Sequence, residues 1–186
     1  KPSSKTPLTA VAVQNLVAKV LKDNDVPEGV FNLAIGRSSQ IGDNMVDDKR
    51  LGRMSGAVST KVGRRVAERV GKRLGKTILE LGGNNAMIIS QHADLEMAIP
   101  TIVFGAVGTA GQRCTSTRRV IVHESIYEEV KKKLVNAYKQ VAERTGNPLN
   151  PDNLMGPLID KDAVEVYQQA LQQVKKEGGK IIFGGE

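Results

Sequence analysis

The spacing of hydrophobic residues changes from one segment of this chain to the next. From Leu8 to Leu21 apolar residues recur at close to helical spacing, directly after Thr6 and Pro7, a pair that is typical of a helix start. This pattern predicts a helix that ends near Asp23. Comparable patterns predict further helices over residues 38–47, 59–74, 94–107, 125–144 and 161–176.

Short apolar runs that end at glycine or at polar residues lie between these helices. Such runs predict buried strands at residues 30–35, 77–81, 86–89, 119–123 and 180–183. Residues 51–58 resist assignment, because two glycines interrupt a weak apolar pattern. Strands that alternate with helices are typical of a parallel α/β architecture, and this is the fold class that the pattern predicts.

Polar residues at two predicted helix starts are placed to bind free backbone amides. Asp94 is expected to cap the helix that runs through Val107. Ser125 and Glu128 have the spacing of a capping box, in which each side chain bonds an amide near the other.

Composition is that of an ordinary globular protein, with 40% hydrophobic and 25% charged residues and a formal charge of +7. Aromatic residues make up only 3%, which supplies few stacking platforms for nucleic acid. We therefore interpret one basic segment as a solvated helix face and expect no nucleic-acid partner. Its cations are Lys61, Arg64, Arg65, Arg69, Lys72, Arg73 and Lys76, and they are opposed only by Glu68.

The single cysteine excludes an intrachain disulfide, and nothing points to an oxidising compartment. No apolar run is long enough to span a membrane, and no metal site is indicated. We expect a cytoplasmic protein, or a mitochondrial one in a eukaryote. The chain begins at Lys1 and stops just after an apolar run, so we expect it to be a fragment of a longer polypeptide.

Two residues are candidates for covalent chemistry. Cys114 has polar and charged neighbours, and the adjacent Arg113 would favour the reactive thiolate. The alternative is a small buried cysteine, and on these grounds alone the two are equally supported. Glu80 ends an apolar strand just before two glycines, at the end of a parallel strand where α/β folds place their chemistry. The alternative for Glu80 is an edge-strand carboxylate that faces water.

Two motifs carry a resemblance to a known family. Glu80-Leu81-Gly82-Gly83-Asn84 and Gly111-Gln112-Arg113-Cys114-Thr115 resemble the two active-site signatures of the NAD(P)-dependent aldehyde dehydrogenase superfamily. Their order and separation also match the family pattern. The residues around both motifs look most like the antiquitin branch, whose members oxidise α-aminoadipic semialdehyde in lysine breakdown.

The resemblance implies a mechanism and a set of site residues. Cys114 would attack the aldehyde carbon, hydride would pass to the nicotinamide, and Glu80 would activate the water that hydrolyses the thioester. Arg113 would recognise the polar end of the aldehyde. NAD, with NADP as the alternative, would be the cofactor, and its expected contacts are Lys1, Ser4, Gly36, Ser59, Thr60 and Leu81.

The resemblance also implies a domain organisation. Residues 1–82 would be the C-terminal half of a Rossmann-like dinucleotide-binding domain, and residues 83–186 the N-terminal part of the catalytic domain. The whole enzyme would be a homo-oligomer, a dimer or a tetramer, and this fragment alone would be inactive. One departure favours a different function. Val58 stands where the family has a glycine that lets the cofactor approach, so a truncated, non-catalytic paralogue remains the alternative.

Overall fold

The computed structural model describes residues 1–185. These fall into two compact units, residues 1–82 and residues 83–185. Both contain helices and parallel strands, so the predicted α/β class is confirmed. Each unit holds one two-stranded sheet. The assignment of the units as parts of a cofactor domain and of a catalytic domain stays a prediction.

The first unit is built from three helices and two strands. Its elements are α1 (Pro7–Asp23), α2 (Asp43–Asp47), β1 (Arg53–Ala57), α3 (Thr60–Lys72) and β2 (Lys76–Glu80). A π-helical turn over Ser38–Gly42 leads into α2. The two strands are parallel, with Arg53 beside Lys76 and Ala57 beside Glu80, and α3 is the crossover between them.

Arginines on α3 hold α2 in place. Arg69 donates to Asp43 at 2.8 Å and also to Asp47, and Arg65 donates to Asp43 at 2.7 Å. The hydrogen bond from Arg69 lowers the pKa of Asp47 below its usual value, so this carboxyl keeps its charge to lower pH than an unpaired aspartate. The prediction that this helix face is solvated is therefore only partly correct. Arg65 and Arg69 are paired with acidic residues that lie more than twenty positions earlier in the chain.

The second unit packs its helices around a larger apolar core. Its main elements are β3 (Ala86–Ile89), α4 (Leu95–Val107), β4 (Arg119–Val122), α5 (Tyr127–Ala142) and α6 (Lys161–Lys176). Strands β3 and β4 are parallel and α4 is their crossover. The buried core consists of Ile89, Ile99, Ile102, Val103, Val130 and Val141.

Two strand predictions are wrong. Residues 30–35 and 180–183 form no strand, and several of their apolar side chains are exposed, among them Val30 and Ile182. An apolar run becomes a strand only where another strand bonds to it, and neither run has such a partner within residues 1–185. Conversely, β1 lies in the stretch that resisted assignment, and it is defined by its ladder with β2.

Of the two capping predictions, the one for Asp94 is confirmed and the one for Ser125 is wrong. The Asp94 carboxylate accepts hydrogen bonds from the amides of Glu96 and Met97 at 2.9 and 3.3 Å, as a capping residue should. The capping box at Ser125 does not form. A 3₁₀ turn over Glu124–Ile126 precedes α5 instead, and the ring of His123 accepts from the Ser125 amide.

Candidate active site

Glu80 is the last residue of β2, and its side chain is exposed. Its backbone oxygen accepts from the amide of Val58 at 2.9 Å, which extends the ladder with β1 by one bond. This bond fixes the backbone of Glu80 while the carboxylate stays free for water. The exposed carboxylate is compatible with a general base, and equally with the alternative of a carboxylate that only faces water.

Residues around the start of α3 meet the end of β2. The hydroxyl of Ser59 caps α3 by accepting from the Val62 amide at 3.3 Å, and Thr60 is the first helical residue. Leu81 lies directly against Gly63 of α3, in space that any side chain at Gly63 would occupy. The structure therefore brings together Ser59, Thr60 and Leu81, three of the expected cofactor contacts.

The remaining expected cofactor contacts have ordinary local surroundings. Lys1 is exposed and its ammonium donates to the carbonyl of Pro2 at 2.7 Å, while Ser4 lies in an exposed turn. Gly36 is in contact with Ile41, whose Cδ1 would lie 2.5 Å from a Cβ at this glycine. Packing of Ile41 is thus sufficient to explain the glycine.

The residues present fit a dinucleotide at this end of the first unit. Amides in the first turn of a helix have no partner within the helix, and the Ser59 hydroxyl satisfies only that of Val62. The start of α3 can therefore accept a phosphate group. The backbone of Val58 is not in the left-handed region that would require glycine, so valine is accommodated there without strain.

Cys114 lies in the second unit, on the loop that connects α4 to β4, and it is exposed. A short 3₁₀ turn over Gly108–Gly111 precedes it, in which Thr109, Ala110 and Gly111 all have positive φ of 56°, 52° and 70°. Three consecutive left-handed residues reverse the chain abruptly after α4. Such a conformation is strained for threonine and alanine and has to be held by surrounding contacts.

Hydrogen bonds on both sides of Cys114 hold this loop. The Arg113 amide donates to the Ser116 hydroxyl at 3.1 Å, and the Ser116 amide donates back to the Arg113 carbonyl at 3.2 Å. The side chain of Asn85 donates to the carbonyls of Cys114 and Ser116 at 2.7 and 2.9 Å. The backbone of Cys114 is therefore restrained, while Cys114 is exposed within residues 1–185, which is compatible with a nucleophile.

Two contacts anchor the loop further out. Gln112 accepts from the amide of Ile159 at 2.9 Å, which ties the loop to the segment before α6. The guanidinium of Arg113 donates to the Phe104 carbonyl at 3.1 Å and lies 5.2 Å from the centre of the Phe104 ring. Gly108 leaves room for this guanidinium.

The loop satisfies only part of the Arg113 guanidinium. Its Nε is buried and makes no hydrogen bond within residues 1–185. A buried donor without a partner is unfavourable by about 1–3 kcal/mol. The predicted role of Arg113 in recognising substrate stays a prediction.

The motifs alone did not reveal the residues that build this loop. Asn85 and Ser116 were not expected as site residues, although Asn85 is a polar residue directly before an apolar strand. Ser116 is only 2% exposed, in a sequence context that looks like any polar loop. Both act through contacts between distant segments. Within residues 1–185 there is also no cluster of three potential metal ligands, and no helix combines the length and apolar character needed to cross a bilayer.

Comparison with known proteins leads to the same family as the motifs. Residues 1–186 match the model of the aldehyde dehydrogenase family. The chain is 47% identical over its full length to α-aminoadipic semialdehyde dehydrogenase of Rattus norvegicus and covers 34% of it. It is 41% identical to aldehyde dehydrogenase family 7 member B4 of Arabidopsis thaliana and covers 36% of it. The chain thus spans about a third of the length of the curated relatives it matches.

Solved structures show the same relationship. Betaine aldehyde dehydrogenase of Staphylococcus aureus in complex with NAD⁺ is 31% identical, with a TM-score of 0.92 over the whole chain and 36% of that structure. Glyceraldehyde-3-phosphate dehydrogenase of Methanocaldococcus jannaschii complexed with NADP is 34% identical, with a TM-score of 0.93 over the whole chain and 40% of that structure. The chain belongs to the aldehyde dehydrogenase family, as its residues, its loop around Cys114 and these relatives together show.

Proposed function

We propose that the full-length protein oxidises an aldehyde to the carboxylic acid with NAD or NADP, through a thioester on Cys114. The observation that carries this proposal is an accessible thiol on a loop whose backbone is restrained on both sides. A nucleophile needs this combination, because the sulfur must reach the substrate while its position is fixed. Membership in the family supports the same chemistry.

The protein groups have separate tasks in this mechanism. The Cys114 thiolate adds to the carbonyl carbon and forms a hemithioacetal, which loses hydride and becomes a thioester. A nicotinamide cofactor, when bound, would supply the acceptor for that hydride. Glu80 then takes a proton from water as the water attacks the thioester, and the carboxylic acid leaves as the thiolate re-forms. Ser59 and Thr60, at the start of α3, would hold the pyrophosphate, Leu81 would contact the nicotinamide, and Lys1 would reach the ribose.

For the substrate we propose α-aminoadipic semialdehyde. The support is the 47% identity to the rat enzyme of that name and the position of the cationic Arg113 directly beside Cys114 in sequence. The purified full-length protein should reduce NAD⁺ with this aldehyde at a kcat/KM at least about tenfold above that for an unbranched aliphatic aldehyde, as one added polar contact permits. Formation of reduced cofactor, followed by absorbance, measures both rates.

A variant separates recognition from loop structure. Arg113→Lys keeps a cation near Phe104 but removes the planar set of donors, so the preference for the polar aldehyde should fall while the unbranched aldehyde is still oxidised. An Arg113→Lys enzyme with an unchanged preference would contradict recognition by Arg113. If the unchanged protein oxidises no aldehyde and binds no NAD, the alternative of a non-catalytic paralogue is supported instead.

Val58 offers a direct test of the cofactor site. Replacing it with glycine should lower the dissociation constant for NAD about tenfold, because the family glycine lets the cofactor approach the backbone closely. Calorimetric titration of the full-length protein measures the constant. Ala57→Gly is the matched control, since it loosens the neighbouring backbone and leaves the Val58 side chain in place. Equal or weaker binding by Val58→Gly would show that valine does not obstruct the site.

Location and assembly complete the proposal. We propose that the enzyme is cytoplasmic, or mitochondrial in a eukaryote, and that it works as a homodimer or homotetramer. Both proposals follow the expectations from the sequence. Size-exclusion chromatography with light scattering measures the assembly state of the full-length protein.

A further inference from the structure

Asn85 connects the beginning of β3 to the loop that carries Cys114. Its side-chain nitrogen donates to the carbonyl of Cys114 at 2.7 Å and to that of Ser116 at 2.9 Å. Its backbone carbonyl accepts hydrogen bonds from the amides of Arg118 and Arg119 at 3.0 and 3.1 Å. Asn85 therefore binds the chain at two places: at Cys114 and Ser116, and again where β4 begins.

The chemistry of these bonds requires a side-chain amide. Both acceptors are carbonyl oxygens, so the group between them has to supply two N–H donors, which Asn has and a carboxylate lacks. Ser116 is nearly fully buried, and its carbonyl would lose its partner if the donor were removed. An unsatisfied buried carbonyl favours movement of the loop.

The restraint acts on the backbone of Cys114 and not on its side chain. The turn between Arg113 and Ser116 closes around Cys114, and Asn85 holds the carbonyls within and after that turn. The backbone is thus fixed while the side chain of Cys114 stays exposed. A displacement of the reacting atom by about 1 Å can slow a reaction by about a hundredfold, so this restraint bears on the rate.

We propose that Asn85 is a positioning residue, which acts through the backbone of Cys114 to hold the thiol where it reacts. This inference rests on the proposed aldehyde oxidation, and the residue itself contacts no substrate. The neighbouring Asn84 supplies a matched control. It is exposed, its side chain makes no hydrogen bond within residues 1–185, and only its carbonyl is used, as the acceptor from Arg119.

The test compares Asn85→Asp with Asn84→Asp in the full-length protein, since both changes add one negative charge at adjacent positions. Hydrogen exchange followed by mass spectrometry should show amides 112–117 exchanging at least about tenfold faster in Asn85→Asp only, as expected for a lost buried bond. In the same variant, kcat for the aldehyde should fall about 10- to 100-fold while the dissociation constant for NAD stays within about twofold.

Each outcome decides a part of the inference. Unchanged exchange in amides 112–117 would overturn the restraint, and faster exchange with unchanged kcat would overturn the positioning role. Equal effects of the two variants would reduce the result to a general effect of charge and would also overturn it. If the unchanged protein oxidises no aldehyde, the proposed function fails, while the exchange result still decides whether Asn85 holds the loop.

A second variant covers the case in which the added charge unfolds the second unit. Protection of the amides in β3 and α5 reports on that unit. Should Asn85→Asp lose this protection, Asn85→Ala removes the same two donors without charge and is measured in its place, with Asn84→Ala as its control. The same two thresholds then apply.

Discussion

Cys114→Ala should abolish aldehyde oxidation by the full-length protein, with a fall in kcat of at least about 10⁴-fold. The thiol forms and breaks the bond to the acyl group in the proposed mechanism, and alanine leaves no atom that can replace it. The side chain is exposed, and the bonds that hold the loop involve the backbone of Cys114, so the substitution leaves those bonds in place. Formation of reduced cofactor from the aldehyde is the measurement.

Two further observations give this result its meaning. NAD should bind Cys114→Ala as tightly as it binds the unchanged protein, which shows that the fold is intact. The neighbouring Thr115→Ala, which also truncates an exposed side chain of the loop, should keep most of the activity. Substantial oxidation by Cys114→Ala would assign the nucleophile to another residue.

Glu80→Gln should lower steady-state turnover about 10²- to 10⁴-fold, the range that a general base contributes. The loss should fall on hydrolysis of the thioester, because hydride transfer needs no base at this point of the mechanism. Rapid mixing should therefore show a burst of reduced cofactor close to one equivalent per active site. Intact-protein mass spectrometry should show the acyl group on Cys114.

The burst distinguishes a base from a residue that merely supports the fold. Glu68→Gln on α3 is the control, since it removes another exposed carboxylate from the same unit. It should turn over normally and show no accumulated acyl-enzyme. An undiminished steady-state rate in Glu80→Gln would remove Glu80 from the mechanism, and slow turnover without a burst would place its effect before the thioester.

Local signals were sufficient to predict most helices of this chain. Helix α4 begins after Asp94 and ends at Val107, and α6 covers Lys161–Lys176, as predicted. A capping side chain and helical spacing act over a few residues, so one segment contains the information. The wrong capping box at Ser125 shows the limit, because the ring of His123 competes for the same amide.

Strands were harder to predict because their partners lie far along the chain. The ladder of β1 pairs Arg53 with Lys76, across the whole of α3, and no pattern within residues 51–58 indicates it. The apolar runs at 30–35 and 180–183 show the opposite error, since hydrophobicity alone does not supply a neighbouring strand.

The same distinction applies to the site. Cys114 and Glu80 could be named from their motifs, and the structure shows that Cys114 is exposed within residues 1–185. The restraint by Asn85 could not be predicted, since it depends on a side chain that meets two carbonyls about thirty positions away. Pairing of Arg69 with Asp43 and Asp47 likewise became visible only when α2 was placed beside α3.

The parallel pairing of β3 and β4 has a consequence for the order of folding. Parallel neighbours cannot be joined by a hairpin, so β4 reaches β3 only after the chain has passed through α4 and the Cys114 loop. The entropy of closing that long segment opposes the ladder, and forming α4 first shortens it. Asn85 directly precedes β3 and holds the residues just before β4, so its bonds can form only as the two strands align. We therefore expect the loop that carries Cys114 to be among the last parts of the second unit to acquire its native shape.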